Sequence, residues 1–264
     1  MKTSNLADIE ELILAINSLP NHYIYRGQSN ASWKLETTLQ RALGAKFEKG
    51  FAERAERFSR ENFSARFHLY DRENNEPHSL LEWLSLMQHY GVPTRLLDFT
   101  SSPYAALYFG IEGYDFQKLP EMALYCIDYT GLMNKSIELI KAEDGHFNET
   151  RQSIHNKSDA IFDEFIDRFN RDILWVTEPE RLNARIDRQA GCFLVSGSKG
   201  MGIEQLLESP SYSDVDARKY ILPGSLAENI FALLRKMNIS GKSIYGDLGG
   251  LAKSLALEIR IYAA

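Results

Sequence analysis

Residues 80–110 read LLEWLSLMQHYGVPTRLLDFTSSPYAALYFG, and this stretch decides how the chain is read. Two apolar-periodic segments flank a turn that holds Gln88, His89, Thr94, Arg95, Asp98, Thr100, Ser101 and Ser102. A core-building sequence rarely concentrates so many hydrogen-bonding groups. The first segment predicts a helix over 80–90, stopped by Gly91 and Pro93. Residues 95–99 predict a short strand. Ser102 with Pro103 behind it predicts a capped helix, because the first turn of a helix has no use for the missing N–H. Tyr104, Leu107, Tyr108 and Ile111 share one face of that helix.

Outward from this stretch, elements of both kinds alternate. Residues 6–19 predict an amphipathic helix ended by Pro20, and residues 48–70 a long one with Phe51, Ala55, Phe58, Asn62 and Arg66 in one row. Residues 71–77 form a charged connection. Alternation and β-branched or aromatic content predict strands at 22–27, 122–128, 173–176, 191–196 and 219–222. Thr177 with Glu180 and Ser225 with Glu228 match the capping-box pattern, which predicts helices running to about 188 and about 237. A short helix follows Gly250. Residues 130–170 are polar and poorly periodic, and read as an insertion with one or two helices inside a single domain spanning 1–264.

Composition narrows the function classes. Hydrophobic content of 44% with 25% charged residues suits a globular domain. No apolar run is long enough to span a bilayer, and the acidic residues inside the first apolar run do not suit a signal peptide. Cys126 and Cys192 sit in strand-like runs and read as reduced thiols, so a cytoplasmic protein without membrane association is expected. A net charge of −6 argues against a general nucleic-acid coat. No metal-ligand spacing, Walker loop, dinucleotide-binding glycine pattern or serine elbow is present.

Three clusters carry possible chemistry. Arg26 sits inside an aromatic strand and precedes Gly27. Burying a guanidinium is costly unless it is paired. It either forks onto a phosphate or ribose oxygen in a cleft, with Gly27 allowing close approach, or pairs with a carboxylate such as Asp98. Ser101 and Ser102 lie at a helix start that favours anions, yet Ser102 could be an N-cap alone. Asp98 suits orienting Arg95 or Arg26, and His89 suits capping a helix end. Arg181, Arg185 and Arg188 fall at i, i+4 and i+7, as a phosphate-tracking patch or an ordinary solvated face. Gln189 stands just before a strand and could point into a cleft.

The segments HYIYRGQSNASWKLETTLQR (22–41) and QHYGVPTRLLDFT (88–100) resemble the bacterial FRG domain, whose aromatic-Arg-Gly motif is matched by Tyr25, Arg26 and Gly27. FRG domains in turn are similar to the ADP-ribosyltransferase superfamily. The resemblance implies an α+β fold, an ADP-ribosyltransferase-like split mixed β core flanked by helices, around an NAD cleft. It implies Arg26 as the first-motif residue, and Ser101 with Thr100, Ser102, Tyr104 and Tyr108 as the second motif. Gln189 is the third, where a Glu is more common, with Glu178 or Glu180 as fallbacks. Tyr25, Gly27 and Arg95 would help bind NAD, and Tyr104 or Tyr108 would stack on nicotinamide. No metal is needed. The acceptor would be RNA, DNA or protein, met by Arg181, Arg185 and Arg188. Within the resemblance, such domains often belong to bacterial toxin–antitoxin or phage-defence loci, which makes an antitoxin one candidate partner. The alternatives are a non-catalytic nucleotide- or partner-binding module and an NAD glycohydrolase.

Overall fold

The structure is a computed structural model that describes residues 1–71, 76–116, 118, 120–181 and 184–263. Seven strands form one mixed sheet: β1 (Lys2–Asn5), β2 (Tyr23–Gln28), β3 (Leu96–Thr100), β4 (Glu121–Asp128), β5 (Leu174–Thr177), β6 (Gly191–Ser196) and β7 (Ala217–Pro223). Their order is β1-β7-β4-β2-β3-β6-β5. Only β1 and β7 pair in parallel; the other neighbours are antiparallel.

Alternation along β2 assigns the two faces. Ile24 joins one core with Tyr125, Phe99, Leu194 and the fully buried Trp175. Tyr23 and Tyr25 join the other core with Leu107, Tyr108, Ile230 and Leu257. Helices cover both faces, so the protein has three layers. The helices Leu80–His89 and Tyr129–Glu143 lie on the first face, and Ile9–Asn17, Pro103–Glu112, Ala227–Lys236 and Leu248–Tyr262 on the second. Among the described residues no helix is long and apolar enough to cross a membrane.

The sheet parts in the middle. The pair β2–β4 is bridged at six positions and β3–β6 at five, but β2 and β3 share one, Tyr25↔Thr100. Past that bridge the strands diverge, and Arg26 projects on the first face beside the gap.

The strands and the helix Pro103–Glu112 fall close to where the sequence places them; Ser102 Oγ accepts from Ala105 N–H as an N-cap should. Several expectations fail for identifiable reasons. β1 is too short, polar and exposed to announce itself. Residues 129–167 are more helical than expected: Tyr129–Glu143, Arg151–His155, Ser158–Ile161 and a π-helical turn Phe162–Asp167. They place Leu132, Met133, Ile140, Ile154 and Phe162 in the first core. The long helix Lys49–Phe67 buries Ala52 and Glu56, while Phe58 from the expected row is exposed. Neither capping box forms. Thr177 ends β5, its hydroxyl buried without a partner, and Glu180 exchanges hydrogen bonds with Asp159. Leu182 and Asn183, inside the helix expected from that box, lie outside the described residues, as do residues 72–75 of the charged connection. Ser225 lies in a 3-10 turn before Ala227–Lys236, with no side-chain cap there. The final helix Leu248–Tyr262 is long and starts from Asp247, whose carboxylate accepts from Gly250 N–H.

Arg95 is a second correction. It points away from the gap into the first core, held by Glu56 at 3.2 Å and by Asp167, with its guanidinium 5.2 Å from the Phe162 ring centroid. Lys199 reaches the same Asp167 at 3.2 Å. This buried ion cluster holds Arg95 away from the gap beside Arg26.

At the other end of β2, Asp216 gathers Tyr23 Oη–H at 2.7 Å and both Nε–H and Nη2–H of Arg218 at 2.8 and 2.6 Å. Hydrogen bonds from Arg218 lead, with those from Tyr23 and Lys2 adding to them against the cost of burial, and its pKa falls to about 2. A carboxylate held below its unfolded value stabilises the fold above about pH 4 and loses that contribution as pH falls towards 2. Asp216→Asn should therefore cost on the order of 1 kcal/mol at neutral pH, screening included. It should also flatten the acid limb of stability between about pH 4 and 2 in urea titrations. Gly27 supplies a second expectation. A Cβ there would lie 1.8 Å from the Ala106 carbonyl oxygen and 2.8 Å from Gly110 N. The missing side chain thus admits the helix Pro103–Glu112 against β2. Gly27→Ala should destabilise by about 1–3 kcal/mol or more, read as a lower melting temperature.

Candidate functional site

The parting of β2 and β3 opens a cleft of about 780 Å³. Such a volume lies within the range of small-molecule sites, roughly 300–1,000 Å³. One wall comes from β2, the loop after it and the helix Thr38–Leu43, with Arg26, Gln28, Trp33, Lys34 and Arg41. The facing wall carries Gln88, His89, Asp98, Thr100, Arg185, Gln189 and Tyr245.

Arg26 is the pivot. Its Nη1–H donates to the backbone carbonyl of Asp98 at 2.7 Å, which spans the gap between the diverging strands. Its Nε has no partner. Burial draws its pKa down and Asp98 opposes this, but a guanidinium keeps its charge at any physiological pH. The carboxylate of Asp98 is engaged elsewhere: Thr94 Oγ1–H donates to Gln88 Oε1, and Gln88 Nε2–H donates to Asp98 Oδ1 at 2.7 Å. That chain fixes the carboxylate in the cleft. Asp98 therefore supports Arg26 through charge and a backbone carbonyl, and does not orient Arg95.

Gln189 reaches the same cleft, as its place before β6 predicts. Its backbone carbonyl accepts from Thr100 Oγ1–H at 2.6 Å, and the next carbonyl, of Ala190, accepts from Ser101 N–H at 2.9 Å. Ala190 takes a left-handed conformation at φ 45° to make this turn. The fastened turn presents the Gln189 side chain, whose Nε2 is buried without a partner. Gln28 Oε1, also on the cleft, is a third such atom. Buried polar atoms are nearly always satisfied, and three that are not belong to residues lining this cleft, which suits a polar site.

Arg185 stacks on Tyr245, its guanidinium 4.8 Å from the ring centroid. Tyr245 Oη–H in turn donates to Glu112 Oε2 at 2.7 Å, and Lys253 Nζ–H donates to the same oxygen at 3.2 Å. Burial, then the charge of Arg185, pushes the His89 pKa down, so this histidine is uncharged near neutrality. The lining holds four permanent cations, Arg26, Lys34, Arg41 and Arg185, against two acids, Glu36 and Asp98. On a chain of net charge −6, this leaves the cleft with a local excess of positive charge.

The structure brings together Tyr25, Arg26, Gly27, Gln88, His89, Asp98, Thr100, Arg185 and Gln189 from the residues singled out by sequence. It does not bring the others. Ser101 is exposed and serves the Gln189 turn through its backbone. Ser102 is spent as an N-cap, and its own N–H goes to Thr100 Oγ1 at 2.9 Å. Tyr104 packs on the second core. Tyr108 is buried there with Oη–H donating to Glu112 Oε1 at 3.0 Å, far from any stacking role in the cleft. Arg181 precedes the helix Ala184–Arg188, so the three arginines do not form one helical face. Arg188 lies against Gly246. Neither Glu178 nor Glu180 lines the cleft.

Reading by residue missed Gln28, Trp33, Lys34, Arg41 and Tyr245. An aromatic within a Ser- and Asn-rich loop was the available signal for Trp33, which is 53% exposed at the cleft. Tyr245 had none, because tertiary packing alone brings it to Arg185.

No curated protein and no solved structure matches the chain. The FRG domain family model matches residues 21–118. That span covers β2, the loop with Trp33 and Lys34, β3 and the helix Pro103–Glu112, whereas Arg185, Gln189 and Tyr245 are supplied from beyond it. The likeness to the FRG domain family is thus confined to the segment 21–118, and the rest of the chain has no match.

Proposed function

We propose that the cleft binds NAD and that the chain transfers ADP-ribose from it to a macromolecular acceptor. The observation that carries this reading is the meeting of Arg26 and Gln189, from opposite sides of the parted sheet, with unpartnered nitrogens in one cationic cleft. The residues fit the ligand. Arg26 offers a planar donor for the diphosphate, with Lys34, Arg41 and Arg185 adding positive potential. Trp33 and Tyr245 offer aromatic faces for the adenine and nicotinamide rings. The parted sheet also suits the ADP-ribosyltransferase-like core that the family resemblance implies.

The chemistry asks little of the protein beyond positioning. The bond between nicotinamide nitrogen and ribose C1′ breaks, and nicotinamide leaves with the electron pair. An oxygen or nitrogen of the acceptor forms the new bond to C1′ and loses its proton. The ribose passes through an oxocarbenium-like state, as in glycoside cleavage. Asp98, fixed by Gln88, supplies negative charge, and the Gln189 amide holds a ribose hydroxyl. Water as acceptor would make the same site an NAD glycohydrolase. One observation favours a second reading, a nucleotide-binding module without turnover: the third-motif position is an amide, and Glu178 and Glu180 lie elsewhere. As an ADP-ribosyltransferase the chain would act as a toxin or phage-defence effector, with an antitoxin to restrain it.

The test is incubation of the purified protein with labelled NAD and cell lysate, followed by separate nuclease and protease treatment. Label should become attached and be removed by one treatment alone, which names the acceptor class. Arg26→Ala and Gln189→Ala should each lower attachment by about 10²–10³-fold, the cost of losing one preorganised electrostatic group. Their melting temperatures should stay close to that of the parent. Neither attached label nor released nicotinamide, with NAD still bound, would establish the binding module instead. An Arg26→Ala protein that loses stability in step with activity would make Arg26 structural and overturn the assignment.

A further inference from the structure

The helix Leu248–Tyr262 has two apolar faces, and one has nothing on it. Gly250, Leu257 and Ile261 pack into the second core. On the opposite side Leu248, Leu251, Leu255, Ile259 and Tyr262 are 42–83% exposed. At 3.6 residues per turn these five positions fall within a stripe about 80° wide. Ala252, Ala256 and Ala263 border it, also exposed. No charged residue interrupts the stripe: Lys253 reaches the other way, to Glu112 and Tyr245. A surface helix normally keeps its solvent side polar, so a continuous exposed apolar row marks an interaction surface.

We infer that this face pairs with the same face of a second copy, the two helices antiparallel about a twofold axis at Leu255. The spacing of the stripe points to this occupant. Its steps are three, four, four and three residues, which read the same in both directions. An antiparallel twofold pair can match such a row onto itself, with residue i meeting j while j meets i. Leu248 then lies across from Tyr262, Leu251 across from Ile259, and Leu255 across from itself. The alanine border lets the two backbones approach closely. Antiparallel packing sets the negative C-terminal end of each helix beside the positive N-terminal end of the other. It also carries Arg235, whose Nη1–H reaches Tyr262 Oη at 3.4 Å, towards the end where the partner's Asp247 caps its helix.

A 15-residue helix is roughly 22 Å long, so the pair is a small interface and the dimer reversible. Sedimentation velocity on the full chain should show a dimer at about 100 µM that dissociates on dilution, as an interface under about 1,000 Å² would. Leu255→Glu should be monomeric throughout, with an unchanged melting temperature at concentrations where the parent is also monomeric, since Leu255 is already half exposed. Ile259→Ser should weaken the dimer likewise. The symmetry has its own readout. With the two native cysteines buried, Leu255→Cys should link to itself through a short thiol cross-linker, whereas Leu248→Cys should not. A monomeric parent at the highest concentration would overturn the proposal, and more so if that monomer sedimented with anionic phospholipid vesicles. So would a dimer that survives Leu255→Glu, or equal linking of both cysteine variants, which a parallel pair would give.

Discussion

A guanidinium at the edge of a parted sheet organises the cleft of this structure. Arg26 stands in a strand that is otherwise aromatic and β-branched, one residue past the single bridge between β2 and β3. A continuous ladder there would enclose the charge in a core with no carboxylate hydrogen-bonded to it. The strands instead diverge, the arginine spans them through the Asp98 carbonyl, and the space left over is the cleft. The Arg26 side chain lines that space, with its Nε buried and unmatched. A buried donor without a partner costs about 1–3 kcal/mol.

The remaining walls are built to hold side chains still. Thr94 and Gln88 fix Asp98, Thr100 fixes the Gln189 turn, and Glu112 fixes Tyr245 on which Arg185 lies. Each chain of contacts starts in a buried element and ends at the cleft. Two of the three lead to residues beyond the FRG segment, so the segment 21–118 supplies the cationic strand while the later part of the chain closes the site around it.

How much of this was legible depended on whether an element advertises its own environment. β2, β4 and β6 are buried on both faces and rich in β-branched and aromatic residues, so their positions were plain. The four polar residues of β1 carried no such pattern. The helix Tyr129–Glu143 keeps its apolar residues at 132, 133, 137 and 140, a true helical row obscured by the polar residues around it. Capping motifs misled because Thr177 and Ser225 belong to a strand end and a 3-10 turn. For the site, neighbourhood along the chain was the weak guide. Arg95 lies among cleft residues in sequence, yet it points into the core towards Glu56 and Asp167. Tyr104 and Tyr108 follow the serines closely, but their helix packs on the far side of β2. Arg26 and Gln189 were legible because each is a polar residue placed where a strand begins or parts, a position whose side-chain direction the strand itself dictates.

The central claim is that the parted sheet is a binding site for an anionic nucleotide held by Arg26. The most direct measurement is calorimetric titration of the protein with ADP-ribose, which carries the diphosphate and both riboses but cannot react further. The account predicts saturable binding that weakens as salt is raised and falls at least about tenfold in Arg26→Lys, which keeps the charge and loses the planar fork. Binding of equal strength in Arg26→Lys, or none to the parent protein at millimolar ligand, would contradict it.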